Sequence, residues 1–201
     1  MNPTAFIFIG RYGAGKGTQA ELLIKAFTEK DPSNPPLYMY TGQRLRKLIQ
    51  EEGHTAKLTK KVVDSGGLMP EFMPIYIWSR ILVESYKGTE PLIFDGSPRR
   101  LLEAKILESA FPFYGIEKPT VVYLDVHHEE SHSRLMLRAK TNGRPDDGPA
   151  EIENRKKAYE NDIMPVVEFY RTSSNVNFLG INGIGPIEDI HADIVKRIGL
   201  K

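Results

Sequence analysis

The chain has no cysteine, which excludes disulfides, thiolate nucleophiles and cysteine-based zinc sites. It also has almost no net charge, because 27 Lys and Arg face 26 Asp and Glu and leave +1. There is thus no global field for nucleic acid or an anionic membrane, and any anion site must be local. No run approaches the ~18–20 apolar residues of a membrane span, and the opening Met1-Asn2-Pro3-Thr4 lacks the basic region of a secretion signal. These absences predict a soluble cytoplasmic protein. Repeats and low-complexity segments are missing as well.

What is present is a globular composition. With 40% hydrophobic residues in 201, the chain suffices for one domain spanning 1–201 that buries about 70% of its unfolded surface. That excludes disorder and collagen-like structure. Short apolar runs bounded by breakers at 5–9, 91–94, 120–126 and 176–181 read as buried strands, and 37–40 is a fifth candidate after a Pro-rich turn. Helical patterns fill 15–29, 42–52, 55–65, 70–86, 100–110, 129–139, 149–170 and 186–198, the long one bent at Pro165. Strands alternating with helices predict a three-layer α/β domain with a central parallel sheet of five strands, since parallel neighbours need crossover connections. The stretch 41–73 is helical without a strand and reads as an insertion beside the sheet. The polar run from Lys140 to Gly148 has almost no apolar residue and predicts a mobile, solvated loop.

The strongest chemical signal opens the chain. A hydrophobic strand runs into Gly10-Arg11-Tyr12-Gly13-Ala14-Gly15-Lys16-Gly17-Thr18-Gln19 and then a helix, the context of a phosphate-binding loop. Glycines let backbone N–H groups converge on an anion, the helix N-terminus adds partial positive charge, and Lys16 supplies a full one. The general motif has Ser or Thr directly after the lysine. Here Gly17 stands there, and the hydroxyl is delayed to Thr18.

The run Gly-Lys-Gly-Thr-Gln resembles adenylate kinases and related nucleoside monophosphate kinases. Further segments follow in that family's order: Tyr40-Thr41-Gly42-Gln43-Arg44-Leu45-Arg46, then Asp95-Gly96-Ser97-Pro98-Arg99, then Arg134 and Arg138 one helical turn apart, then Arg144-Pro145-Asp146-Asp147 and Arg155 in the short-lid form. The resemblance implies a P-loop fold with an acceptor-binding insertion at about 41–73 and a short lid at about 139–149. It implies Mg2+-dependent, reversible phosphoryl transfer from ATP to AMP giving two ADP, by a monomer without nucleic-acid or membrane partners. ATP falls to Gly13, Ala14, Gly15, Lys16, Gly17, Thr18, Arg134, Arg138 and Gly185. AMP falls to Thr41, Arg46, Met69, Gly96, Arg99, Glu103, Arg144 and Arg155. Lys16, Arg99, Arg138, Arg144 and Arg155 are the catalytic cations, Asp146 and Asp147 support the lid, and Asp95 holds Mg2+ through its waters.

Elementary chemistry agrees with that set. Phosphoryl transfer leaves a protein little covalent work, so it must align the phosphates and neutralise charge spread over their oxygens. Arginine suits this because its planar fork binds phosphate bidentately and stays charged. Several residues depart from the family pattern: Gln43 for Asp, Ser97 for Phe, Tyr12 for a loop Pro, and Gly185 for a frequent Lys. Glu103 stands where an adenine-reading Gln is usual. Gln can donate to adenine N1 and accept from its amino group, whereas an ionised Glu only accepts. The mismatch costs about 1–3 kcal/mol and makes GMP a competing acceptor.

Two rival readings remain. His128-Glu129-Glu130-Ser131-His132 matches a zinc-hydrolase pattern. It follows a strand directly, where a complete helix carrying both histidines is unexpected, and His191 has no local third-ligand spacing, so the cluster reads as solvated surface. A non-catalytic nucleotide-binding protein could share the loop but would need no lid arginines.

Overall fold

A computed structural model describes residues 4–142 and 148–200. Five strands, β1 (Ala5–Gly10), β2 (Leu37–Tyr40), β3 (Leu92–Asp95), β4 (Thr120–Asp125) and β5 (Asn177–Asn182), form one all-parallel sheet in the order β2-β3-β1-β4-β5. β1 lies at the centre, and all six of its residues are buried. Its alternate side chains serve the two faces. Ile7 and Ile9 join Leu92, Phe94, Ala104, Leu107 and Phe111 on one face, while Phe6 and Phe8 join Ile93, Ala20, Leu23 and Phe27 on the other. A strand buried on both faces must read as an unbroken apolar run, as Ala5–Ile9 does. Each fully buried aliphatic or aromatic side chain contributes about 1.5–3 kcal/mol.

Helices α1 (Lys16–Lys30) and α9 (Ile187–Arg197) pack on the Phe6 face. α4 (Phe72–Ser85) and α5 (Leu101–Phe113) cover the Ile7 face. The chain therefore leaves β1 toward one face and the adjacent β3 toward the other. Connections that diverge from neighbouring parallel strands open a crevice at their carboxyl ends, where open α/β sheets bind ligands. Between β2 and α4 stand α2 (Thr41–Leu48) and α3 (His54–Asp64), with no strand among them.

α6 (His128–Asn142) follows β4. The long helix expected over 149–170 is instead three pieces: α7 (Pro149–Ala158), a π-helical turn at Tyr159–Ile163, and α8 (Met164–Thr172). Pro165 lacks an N–H to donate one turn back, and the widened turn just before it absorbs that loss. The turn carries Tyr159 inward, where its hydroxyl lies 2.9 Å from that of Tyr123 and its ring lies 3.9 Å beneath the Arg11 guanidinium. Both histidines of the zinc-like pattern do lie on a formed helix, contrary to expectation, because α6 begins at His128. Their rings are 6.1 Å apart, Glu129 turns to His127 at 3.3 Å, and no group of three potential metal ligands exists among the described residues. Among these residues no helix is long and apolar enough to cross a membrane.

Candidate active site

The crevice is a cavity of about 800 Å³ around the loop that joins β1 to α1. Gly15 caps α1 at φ 90°, and Gly13 has φ 81°, conformations that favour glycine over any residue bearing a Cβ. A Cβ on Gly13 would also stand 2.8 Å from the Ser131 carbonyl. α6 thus presses directly on the loop, and Ser131 Oγ donates to the Tyr12 carbonyl at 2.6 Å. Gly13, Ala14, Gly15, Lys16, Gly17 and Thr18 all line the cavity. Lys16 Nζ donates to the carbonyls of Gly10 at 2.8 Å and Arg11 at 2.6 Å. Burial lowers its pKa to about 7; Asp95 opposes that shift, while Arg99, Arg138 and Arg155 reinforce it. A lysine so placed regains its charge when an anion arrives.

Two wings extend from this centre, one on each side of β1. Toward β4 and β5 stand Arg138, Arg134 and Gly185. Arg134 Nε donates to Glu130 at 2.7 Å and its Nη2 to the Gly183 carbonyl at 3.0 Å, so the guanidinium plane is fixed. Toward β3 and β2 stand Thr41, Arg46, Met69, Gly96, Arg99 and Glu103. Thr41 is 3% exposed and its Oγ1 has no hydrogen-bond partner among the described residues. A buried hydroxyl left in that state costs about 1–3 kcal/mol, which a ligand can recover. Arg46 donates to the Tyr40 hydroxyl at 2.6 Å and lies 5.2 Å over its ring. Asp95 ends β3, accepts from the Tyr38 hydroxyl at 3.0 Å, and stands 3.3 Å from where a Gly17 Cβ would be. Arg155, from α7, lines the same cavity.

A comparison with family models matches residues 8–175 to adenylate kinase. The adenylate kinase of Leptospira biflexa serovar Patoc is 36% identical over 192 residues, covering 96% of this chain and 98% of the relative. Those of Phocaeicola vulgatus and Bacteroides fragilis are 31% and 32% identical over the same length, each covering 96% of both chains. The chain belongs to the adenylate kinase family. It is a nucleotide-binding phosphotransferase, and that displaces the zinc-hydrolase reading of α6.

Every described residue expected of an adenylate kinase site on sequence grounds lines the one cavity. Arg144, Asp146 and Asp147, expected in the lid, lie outside the described residues. The sequence reading missed Tyr12 as a contact hub. Its ring lies 5.0 Å beneath each of the Arg99 and Arg155 guanidiniums and 5.9 Å from Lys16 Nζ, and its hydroxyl accepts from Arg99 Nη1 at 3.0 Å. Burial works against the Arg99 charge, but Tyr12, Glu103 and Asp95 outweigh it and raise its pKa. An aromatic inside a glycine loop was the available signal. Tyr40, which holds Arg46, and Glu130, which holds Arg134, were missed for the same reason: each acts on a cation rather than on the ligand.

Cation–π contacts of this kind are worth about 0.5–2 kcal/mol. Replacing Tyr12→Ala is therefore expected to lower kcat about tenfold, because two cations lose their platform. Tyr12→Phe keeps the ring and should cost only about threefold. Steady-state kinetics of both variants check this, and equal losses would show that the hydroxyl alone matters.

Glu103 corrects an assumption. It is 2% exposed, and burial raises its pKa to about 7, against lowering by the Arg99 amide and by the charges of Arg99 and Arg100. Near neutral pH it is therefore not simply ionised, as the sequence reading took it to be.

Proposed function

We propose that the chain transfers the γ-phosphoryl group of ATP to AMP, giving two ADP, and runs the reaction in both directions. The observation that carries this reading is the convergence of Lys16, Arg99, Arg138 and Arg155 on one cavity whose two wings flank a glycine loop. Two nucleotides laid phosphate to phosphate suit that shape. ATP occupies the loop and the Arg134–Gly185 wing, its phosphates on the backbone of Gly13 to Thr18 and its adenine against the fixed Arg134 plane. AMP occupies the Thr41–Glu103 wing, with Arg46 and Arg99 on its phosphate, Gly96 beneath it, and Thr41 and Met69 beside the base.

The acceptor phosphate is already anionic, so no general base is needed. One of its oxygens forms the new bond to the γ-phosphorus as the bond to the β–γ bridging oxygen breaks. Negative charge then shifts onto the equatorial and leaving oxygens, and fixed cations stabilise that shift without reorganising. Arg144 from the lid is the further cation in this scheme, and Asp146 and Asp147 orient the lid arginines. Closure of the lid excludes water, which would otherwise compete as acceptor.

Mg2+ suits the donor set, because it is bound through one or two carboxylates plus substrate phosphates and waters. Asp95, at a strand end beside Gly17, would supply that carboxylate. Held there, Mg2+ would supply charge neutralisation to the phosphate oxygens. Gln43, standing where the family pattern has Asp, would leave the water shell of that ion one acidic contact short.

A net charge of +1 gives no global field for nucleic acid or an anionic membrane, and a cytoplasmic monomer is part of the proposed reading. The test is ADP formation from ATP, AMP and Mg2+. Saturable turnover dependent on all three is expected, and binding of both nucleotides without transfer would favour a regulatory binder.

A further inference from the structure

The acceptor wing holds one feature that positioning of phosphates does not require. Glu103 lies in the first turn of α5, nearly fully buried, yet on the cavity wall with Leu45, Val63, Leu68 and Met69. Those four side chains are apolar, so the acceptor wing combines surface fit for a flat ring with two buried polar groups, the Glu103 carboxyl and the Thr41 hydroxyl. Among the described residues its single hydrogen bond comes from the Arg99 amide, to Oε2 at 3.1 Å. A purely structural carboxyl in such a place would be capped on both oxygens or paired with a cation.

The charged and titratable groups facing it are Arg99 and Arg100 at the head of its own helix, Glu71 ahead of α4, and Tyr170 from α8. Arg100 is itself paired with Asp162 at 3.1 Å. Burial and Glu71 favour the acid, whereas the two arginines favour the carboxylate. Burial is the largest of these influences, and it sets the balance near neutrality.

The two forms present different hydrogen-bonding edges. As the acid, Oε1–H donates and Oε2 accepts, which complements N1 and the amino group of a 6-aminopurine. As the carboxylate, both oxygens accept, which complements the N1–H and 2-amino N–H of guanine. Each mismatch leaves a buried polar group opposed to its like, and that costs about a decade or more in specificity.

We propose that the proton on Glu103 selects the acceptor purine, the acid form accepting AMP and the carboxylate accepting GMP. This rests on the reading that the Thr41–Glu103 wing takes the acceptor. The sign is set by the acid: below its pKa the protonated form and AMP dominate, and above it the carboxylate and GMP do. The two substrates carry the same phosphate, so the ratio of their kcat/KM values cancels phosphate titration and any general loss of active protein.

The experiment measures kcat/KM for AMP and GMP with saturating ATP from about pH 6 to about pH 8.5, in the full chain and in Glu103→Gln. The GMP/AMP ratio of the native enzyme should rise about tenfold or more along one titration curve. Glu103→Gln should flatten the ratio and hold it low at every pH, with AMP use at the alkaline end raised several-fold. A native ratio that stays constant while AMP is turned over would overturn this inference and leave the kinase reading intact. So would a variant whose ratio follows the native curve. Turnover of neither nucleotide at any pH would overturn the kinase reading, and this inference with it.

Discussion

Lys16→Met should reduce phosphoryl transfer by about 10³-fold or more and should not destabilise the protein. The ammonium sits at the carboxyl end of β1, held by two carbonyls in surroundings that lower its pKa to about 7. The sign of its effect on stability follows. A lysine whose folded-state pKa lies below its unfolded value costs the fold its full penalty below about pH 7, and that penalty fades as pH rises toward the unfolded value. Removing the charge therefore raises the melting temperature, by more at pH 7 than at pH 9. The same shift predicts that ATP binding near pH 8 takes up a proton in the native protein and not in the variant. Calorimetry in two buffers of different ionisation enthalpy reads that directly. Near-native turnover of Lys16→Met would contradict the assignment.

Arg99→Ala carries the second large effect, about 10²- to 10³-fold in kcat/KM for the acceptor, with the KM for ATP moving much less. Arg99 stands where the two wings meet. It lies over Tyr12, donates to the Tyr12 hydroxyl, and offers its backbone amide to Glu103. A lysine cannot reproduce a planar fork stacked on an aromatic face. Arg99→Lys should therefore recover less than a tenth of the lost rate. Full recovery by lysine would show that charge alone is required there. Loss of ATP affinity instead of acceptor use would move Arg99 to the donor side.

The parts legible in the sequence were those encoded locally. β1 and β4 are buried on both faces, so their apolar runs announced themselves, and Gly10 to Thr18 spelled out a loop whose backbone only glycine accepts at Gly13 and Gly15. Lys16, Arg99, Arg138 and Arg155 were found from the order of the family's motifs, and the fold brings them to one cavity. What escaped were properties created by proximity. Tyr12 touches Arg99 and Arg155 across 87 and 143 positions of chain, and no local pattern records such a pair. Glu103 is ordinary as a helix-start acid, and its burial in the folded chain, more than the charges around it, alters its titration. The π-helical turn ahead of Pro165 escaped because a proline forbids a hydrogen bond without dictating how the helix recovers.

The central claim is that guanidinium groups and one ammonium close on a continuous run of phosphates between two nucleosides. A crystal structure with a dinucleoside polyphosphate joining two adenosines tests it most directly. The account predicts Lys16, Arg99, Arg138 and Arg155 within hydrogen-bond distance of that phosphate chain, with one adenine beside Arg134 and the other beside Glu103. Those side chains turned to bulk solvent, with both adenines in a single wing, would contradict it.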